Sequence, residues 1–236
     1  MKRLVFTLLS AVLLFATAIN ASAQQTQNRN VSGFSAVATS GPFYVQIKLD
    51  GTESLKISAN SDIINEIETV VKDGELQIKF KNHYEWNHSN IGKGKIDIYV
   101  TAKSLNSITN SGSGSMKVDG VIGGDNCKVT LSGSGDINTA VKSGSLNAKI
   151  SGSGSIHLNG TAGDADFKIS GSGQIEGKEL KAQSVNVGIS GSGSVYVNAD
   201  KSISAHISGS GNVEYTGNAS VVDSRFTGSG RVNKVD

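Results

Sequence analysis

The sequence predicts an all-β chain folded as a single-domain parallel β-helix, a solenoid with coils of about 19 residues. Three observations predict it. A Gly-Ser-Gly triplet recurs at a nearly constant interval, apolar residues alternate with polar ones around each triplet, and a preceding region alternates in the same way without the triplet. A constant repeat near this length is typical of solenoids, in which each repeat packs on the next. The composition agrees, since the 236 residues include 29 Gly, 1 Pro and only 6% aromatic residues.

The triplet marks the corner of each predicted coil. Its seven copies start 21, 19, 19, 20, 18 and 19 residues apart. A strand that turns sharply in every coil needs backbone conformations that are unfavourable for residues with a Cβ atom, and glycine adopts them readily. The copies begin at Gly112, Gly133, Gly152, Gly171, Gly191, Gly209 and Gly228.

Three apolar columns follow from aligning the repeats on the triplet. Alternation with a period of two predicts strands whose apolar side chains face a common interior, each coil pairing with the next at about 4.8 Å. Parallel crossovers are right-handed in about 98% of cases, so a right-handed coil is expected, with the left-handed coil of some short-period solenoids as the alternative. Before the triplet the column is Leu131, Ile150, Ile169, Ile189, Ile207 and Phe226; after it, Met116, Ile137, Ile156, Ile175, Val195, Val213 and Val232. The third column is Cys127, Leu146, Ala165, Val185, Ile203 and Val222, which predicts that the single cysteine is an inert core thiol.

The region 31–105 lacks the triplet but still alternates like strands. Strands are predicted at 31–38, 43–49, 55–59, 75–80 and 95–100, and Asp73-Gly74 is a hairpin turn signal. Ser61 is predicted to N-cap a short helix that runs through Glu68. Because solenoids need closed ends, this part is expected to cap or begin the coil stack rather than form its own domain. Residues 24–236 are therefore interpreted as one domain, with the repeat coils at 106–236.

Residues 1–23 are predicted to be a signal peptide. Lys2 and Arg3 precede an uncharged apolar run, and Ala21-Ser22-Ala23 has the small-x-small cleavage pattern. The chain is then exported, to the periplasm, the outer-membrane surface or the medium, with no later transmembrane segment expected. Two of the 22 basic residues fall in the signal, which leaves 20 against 20 acidic residues. Nucleic-acid binders depend on a basic surplus, so no nucleic-acid partner is expected.

The segments 31–34 (VSGF), 73–78 (DGELQI) and 99–102 (YVTA), with the Ser-Gly-Ser-Gly corners, give the chain a family resemblance. It resembles the bacterial autotransporter-adhesin family defined by the head GIN domain, over almost all of the chain after the signal. The resemblance implies an exported β-helix with an adhesin label. Many relatives carry a lipoprotein cysteine after the signal, and Gln24 departs from that pattern.

The loop at 81–89 is the most chemically varied segment. It holds Tyr84, Glu85, Trp86 and His88, including the only Trp of the chain. Aromatic faces stack on sugar rings and neighbouring polar groups bind hydroxyls, so these four residues are the predicted ligand-binding site, with the alternative of a hairpin tip folded onto the solenoid. His83 and His88 fit no zinc spacing, so neither a metal nor a cofactor is predicted.

The function predicted from these observations is a non-catalytic module of the cell envelope, adhesin-like or structural, with a glycan or another cell-surface component as partner. The alternative is a carbohydrate-active enzyme, a polysaccharide lyase or hydrolase. It would use an outward column of Lys117, Asn138, His157, Glu176, Tyr196, Glu214 and Asn233, in which the two glutamates lie about 10 Å apart. The last coil shows no cap in the sequence, which leaves end-to-end pairing into a dimer open.

Overall fold

The computed structural model describes residues 24–81 and 94–235, which form sixteen strands and one short helix. The predicted signal peptide at 1–23 lies outside the described residues. The N-terminal part contains β1 (Gln24–Arg29), β2 (Ala36–Ser40), β3 (Phe43–Leu49), β4 (Ser54–Asn60), the helix α1 (Ser61–Ile64), β5 (Ile67–Lys72), β6 (Glu75–Phe80), β7 (Ile96–Ala102) and β8 (Ser107–Gly112). The repeat region contains β9 (Ser115–Gly133), β10 (Asp136–Gly152), β11 (Ser155–Gly171), β12 (Gln174–Gly191), β13 (Ser194–Gly209), β14 (Asn212–Thr216), β15 (Ser220–Gly228) and β16 (Arg231–Lys234).

The predicted parallel β-solenoid is confirmed. From β9 to β13, each coil after its corner is one continuous ribbon of 16 to 19 residues, paired in parallel with its neighbours. Ile150 is paired with Leu131 on one side and Ile169 on the other, and all three side chains are buried. Like side chains therefore stack from coil to coil, and their burial is the main stabilising force.

The corners stack directly on one another. The backbone N–H of Ser172 donates to the carbonyl oxygen of Gly152 at 3.0 Å, and equivalent bonds link the neighbouring corners. Gly171 has φ of +120°, and a Cβ atom there would overlap the Gly152 carbonyl oxygen. Glycine is required at this position for both reasons, because its conformation is unfavourable for other residues and the two backbones approach too closely for a side chain.

The columns end less regularly than predicted. Val222 was expected to continue the column of Ile203, but Val221 pairs with Ile203 instead, and the register shifts between Val221 and Asp223. Val222 is the extra residue of this β-bulge and is 64% exposed. The prediction for Val222 is wrong because one inserted residue in an alternating strand shifts the register. Phe226 holds its predicted register but is 44% exposed, because it lies in the last coil.

The N-terminal part begins the coil stack. The pair β2–β3 lies between β8–β9 on one side and β6–β7 on the other, all in parallel. Beyond them, β4 pairs antiparallel with β7, β1 with β4, and β5 with β6. These antiparallel strands cover the edges that the first coil would otherwise leave open.

Several local predictions in this part need correction. The first predicted strand begins at Ala36 rather than at residue 31, and β1, β5 and β8 were not predicted. The N-cap residue of the helix is Asn60, not Ser61. The helix ends at Ile64 rather than at Glu68, because Ile67 starts β5 and pairs with Phe80. The hairpin at Asp73-Gly74 is confirmed, with φ of 51° and 76° as a type I′ turn requires.

The single cysteine is buried as predicted. Cys127 is 2% exposed, and burial raises the pKa of its thiol to about 11. A thiol with this pKa is a poor nucleophile at neutral pH. Within residues 24–81 and 94–235, no helix is long and apolar enough to cross a membrane.

Candidate functional site

A row of polar and aromatic side chains crosses the outer face of the solenoid from its first coil to its last. Each residue is the register partner of the next, so ten strands contribute one residue each. At about 4.8 Å per strand the row is about 43 Å long. We call it the polar row, and it consists of Lys56, Tyr99, Gln46, Lys117, Asn138, His157, Glu176, Tyr196, Glu214 and Asn233.

The alternation of each strand places these side chains outside. The residues that flank Gln46 in sequence, Val45 and Ile47, are both buried, and the same holds for Ile175, which precedes Glu176. In a strand, successive side chains point to opposite faces, so the residue between two buried ones projects into solvent. The apolar columns that hold the fold together therefore also fix the spacing of the row.

The sequence predicted the seven C-terminal members of this row as an outward column. It did not predict that Lys56, Tyr99 and Gln46 extend the column through the N-terminal coils. Gln46 pairs with Tyr99 on one side and Lys117 on the other, although β7 follows β3 by more than 40 residues. No triplet marks these strands, so alignment on the repeat gave no register for them.

Three exposed or partly exposed tyrosines lie in or beside the row, each with a lysine ammonium near its ring. Lys56 Nζ is 4.5 Å from the Tyr99 ring centre, and Lys178 Nζ is 4.8 Å from that of Tyr196. Tyr44, two residues before Gln46 on β3, is 45% exposed. Cation–π contacts at exposed sites contribute only about 0.5–1 kcal/mol, so a ligand that stacks on a ring can displace the lysine.

Two shallow grooves lie along the row. The first has a volume of about 590 Å³, and its polar lining residues are Gln46, Lys48, Tyr99, Thr101, Lys117 and Asp119. The second has a volume of about 320 Å³ and is lined by Asn138, His157, Asn159, Glu176, Lys178 and Glu179, with Leu158. Amide, hydroxyl, ammonium and carboxylate groups beside a tyrosine ring are suited to a ligand rich in hydroxyl groups.

A close contact between an imidazole and a carboxylate lies in the second groove. His157 Nδ1 is 2.9 Å from Glu176 Oε2, and the other carboxylate oxygen accepts a hydrogen bond from the Gln174 side chain. Both side chains remain about 40% exposed. Tyr196 separates Glu176 from Glu214 in the row, so the strands that carry these two carboxylates are about 10 Å apart. Retaining glycosidases hold their carboxyl groups about 5–5.5 Å apart and inverting ones about 6.5–9.5 Å apart, so this strand spacing is far from the retaining arrangement and just above the inverting range.

The loop residues Tyr84, Glu85, Trp86 and His88 lie outside the described residues. The structure does show where the loop leaves and rejoins the fold, at the end of β6 and the start of β7. Just before β7, Lys95 Nζ is 2.7 Å from Asp97 and 4.8 Å from the Tyr44 ring centre. The hydrogen bond to Asp97 raises the pKa of Lys95 above its ordinary value. The loop therefore rejoins the fold beside the N-terminal end of the polar row.

No cluster of three or more metal-binding side chains occurs among His, Cys, Asp and Glu of the described ranges. His157 and His206 lie on different columns: His157 is in the polar row, whereas His206 is 3.5 Å from Asp223. The two histidines are therefore not placed to share one ligand.

One protein family matches residues 33–219 of the chain, and its description reads "Putative auto-transporter adhesin, head GIN domain". The chain belongs to this family. The resemblance drawn from the hairpin, the 99–102 segment and the corners is thereby confirmed. This head GIN domain protein has no sequence match among proteins of curated function.

Solved structures share the fold of this head GIN domain protein. A "putative adhesin" from Bacteroides fragilis is 25% identical, with 91% of this chain and 98% of that chain covered and a TM-score of 0.83. A "putative lipid binding protein" from Parabacteroides distasonis is 22% identical, with 92% and 98% covered and a TM-score of 0.71. A "putative adhesin" from Parabacteroides merdae is 20% identical, with 92% and 98% covered and a TM-score of 0.66. These structures support the solenoid fold over nearly the whole chain.

Proposed function

We propose that this chain is an exported, adhesin-like module of the cell envelope that binds an extended glycan along the polar row without transforming it. The observation that carries the proposal is the continuity of the row over ten strands. An extended ligand needs a long line of polar groups rather than one deep pocket, and both grooves lie on this line. Membership of the adhesin family and the apolar run at 1–23 support a location outside the cytoplasm.

The rigidity of the row supports binding. Its side chains project from paired strands, so the backbone positions are already fixed before a ligand arrives. Pre-organisation lowers the entropic cost of association. The contact of His157 with Glu176 adds an imidazole and a carboxylate, held 2.9 Å apart, to the second groove. The aromatic ring of Trp86 is proposed to take part in binding, together with Tyr84, Glu85 and His88.

The proposal is tested by glycan-array binding with the chain from Gln24 to Asp236, followed by titration of the ligands that bind. Affinity is expected to rise with oligosaccharide length, because a longer ligand contacts more coils. Tyr99→Ala and Trp86→Ala are each expected to weaken binding at least about tenfold, which corresponds to 1.4 kcal/mol. An affinity that is unchanged by Tyr99→Ala and independent of oligosaccharide length would refute the role of the row.

The two exposed histidines provide a matched control. His157→Ala removes a member of the row, whereas His206→Ala removes a histidine of similar exposure that also lies beside a carboxylate but on another column. A hydrogen bond contributes about 0.5–1.5 kcal/mol net, so His157→Ala is expected to weaken binding about two- to tenfold. His206→Ala is expected to leave binding unchanged. Equal losses in both variants would place the ligand elsewhere.

Hydrolysis or elimination of a polysaccharide is the second candidate function. The observation that favours it is the carboxylate of Glu176 beside an imidazole in an open groove, an arrangement that acid–base chemistry also uses. Glu176→Gln distinguishes the two. Release of new saccharide ends by the wild-type chain and its loss in this variant would support the enzyme. Binding without turnover would support the module.

A further inference from the structure

The two ends of the solenoid differ in how their edge strands are covered. At the N-terminal end, the antiparallel strands β1 and β5 cover the outermost strands, and α1 contacts β1 and β4. At the C-terminal end, β15 pairs with β13 on one edge, and no described strand pairs with its other edge. All but one of its nine residues are exposed. An unpaired edge strand of this length is a ready template for pairing with another chain.

The open edge strand β15 carries three exposed apolar side chains. Val221, Val222 and Phe226 are 45%, 64% and 44% exposed, and all three lie on this one strand. Phe226 pairs with Ile207 and ends the apolar column that precedes the corners. Covering these side chains removes apolar area from water, which favours association.

The neighbouring edge strand β16 carries a protective feature that β15 lacks. Lys234 is the register partner of Tyr215, so a charged residue occupies the end of an inward column. Inward-pointing charges on an edge strand oppose pairing with other chains. On β15, the charged residues Asp223 and Arg225 occupy outward positions, as partners of Ser204 and His206.

The charge pattern of β15 is self-complementary. If a second β15 pairs antiparallel with Ser224 opposite Ser224, Asp223 of each copy lies opposite Arg225 of the other. The same register places Phe226 opposite Val222 of the second copy. Parallel pairing in register would instead place like charges side by side, which is unfavourable. Within one copy, Arg225 Nε lies 3.5 Å from Asp223 Oδ2, and both side chains are accessible to a second copy, since Arg225 is 75% exposed and Asp223 is 41% exposed.

We propose that two copies of this chain join end to end through antiparallel pairing of β15 with β15, on a twofold axis at Ser224. The pairing continues the ladder of β13 and β15 into the second copy and covers the exposed end of the apolar core. A twofold axis makes the interface isologous, so the contacts occur twice. The inference stands independently of glycan binding.

Sedimentation equilibrium of the chain from Gln24 to Asp236 is expected to show a reversible monomer–dimer equilibrium. Arg225→Asp and Asp223→Arg each turn two attractive cross-strand pairs into repulsive ones, so each is expected to weaken dimerisation about tenfold or more. An equimolar mixture of the two variants restores opposite charges at both pairs and is expected to form heterodimers. Lys149→Asp reverses an exposed charge on an inner coil and serves as the matched control, with no effect expected.

Ser224→Cys tests the register directly. In the proposed pairing the new cysteines lie opposite each other, so oxidation is expected to give a disulfide-linked dimer, while the buried Cys127 remains reduced. Ser208→Cys, on the adjacent inner coil, is expected to stay monomeric under the same oxidation. Circular dichroism and thermal melting confirm that the variants are folded. The proposal would be overturned if the chain stayed monomeric at all concentrations. It would also be overturned if a dimer formed whose affinity is unchanged by the charge reversals and which is not cross-linked by Ser224→Cys.

Discussion

Gly171→Ala is the substitution that tests the corner geometry most sharply. The residue has φ of +120°, and a Cβ atom would overlap the carbonyl oxygen of Gly152 in the preceding coil. The unfavourable backbone conformation costs about 1–3 kcal/mol. Forcing the coils apart to relieve the overlap costs about another 1–3 kcal/mol. The variant is therefore expected to lose about 2–6 kcal/mol of stability.

Three matched Gly→Ala variants separate these two costs. At Gly124, φ is +131° but nothing lies within 4 Å of the added Cβ, so only the backbone term of about 1–3 kcal/mol applies. At Gly173, φ is not positive, but the Cβ would lie 2.5 Å from Ile150 Cγ2 and 2.7 Å from the Gly154 carbonyl oxygen, so only the cost of relieving the overlap applies. At Gly188, the nearest atom is Lys168 Cγ at 3.8 Å and φ is also not positive, so alanine there is expected to be neutral or stabilising by up to about 1 kcal/mol.

Thermal unfolding followed by circular dichroism measures all four variants. For a domain of 150–250 residues, each kcal/mol shifts Tm by about 2–4 °C, so Gly171→Ala is expected to lower Tm by at least about 4 °C. Gly124→Ala and Gly173→Ala are expected to lie between Gly171→Ala and Gly188→Ala. If Gly171→Ala melts at the same temperature as Gly188→Ala, the corners do not stack as described.

The remaining predictions concern the core and one ion pair. Ile169→Ala is expected to cost about 2–5 kcal/mol because Ile169 is 2% exposed, whereas Val121→Ala, at 56% exposure, should change stability by no more than about 0.5 kcal/mol in thermal melts. Cys127 is expected to react with a thiol reagent only after unfolding, because burial raises its pKa to about 11; rapid labelling of the folded chain would contradict this. Glu53 accepts hydrogen bonds from Lys103 and from the backbone N–H groups of Phe34 and Gly33, which lowers its pKa. The stability it contributes is therefore present above the ordinary Glu pKa and lost as pH falls through the lowered value, so Glu53→Gln should reduce Tm at neutral pH and match the wild type in strong acid. An undiminished difference in strong acid would argue against this account of Glu53.

The repeat coils were predictable because the spacing of the Gly-Ser-Gly triplets determines which residues of successive coils pair. Once the triplets are aligned, Ile150 must follow Leu131 and precede Ile169 in one column, and the structure has this order. The N-terminal coils were not predictable in this way. Their spatial order is β7, β3, β9, so neighbours in the sheet are distant in sequence, and alternation alone cannot decide which strands pair.

The local misses have physical causes of the same kind. Ile63, Ile64 and Ile67 fit one side of a helix in the sequence. In the structure Ile67 begins β5 instead, where it is buried and pairs with Phe80 of β6. Pairing between distant strands therefore decided the conformation of this segment. At Val222, a single bulge residue shifted the alternation. The outward column with His157 and Glu176 was predicted from the repeat. The 2.9 Å contact between them, and the extension of the row to Tyr99, could be seen only in the structure.

Distances between spin labels test the stacked coils most directly. Cysteines placed at Lys117 and at Glu176, Glu214 or Asn233 report on one outward column, while the buried Cys127 stays unlabelled. The pairs are three, five and six strands apart, so separations of about 14, 24 and 29 Å are expected, rising by about 4.8 Å per coil. Separations that do not increase with the number of coils would contradict the stacked solenoid on which the polar row depends.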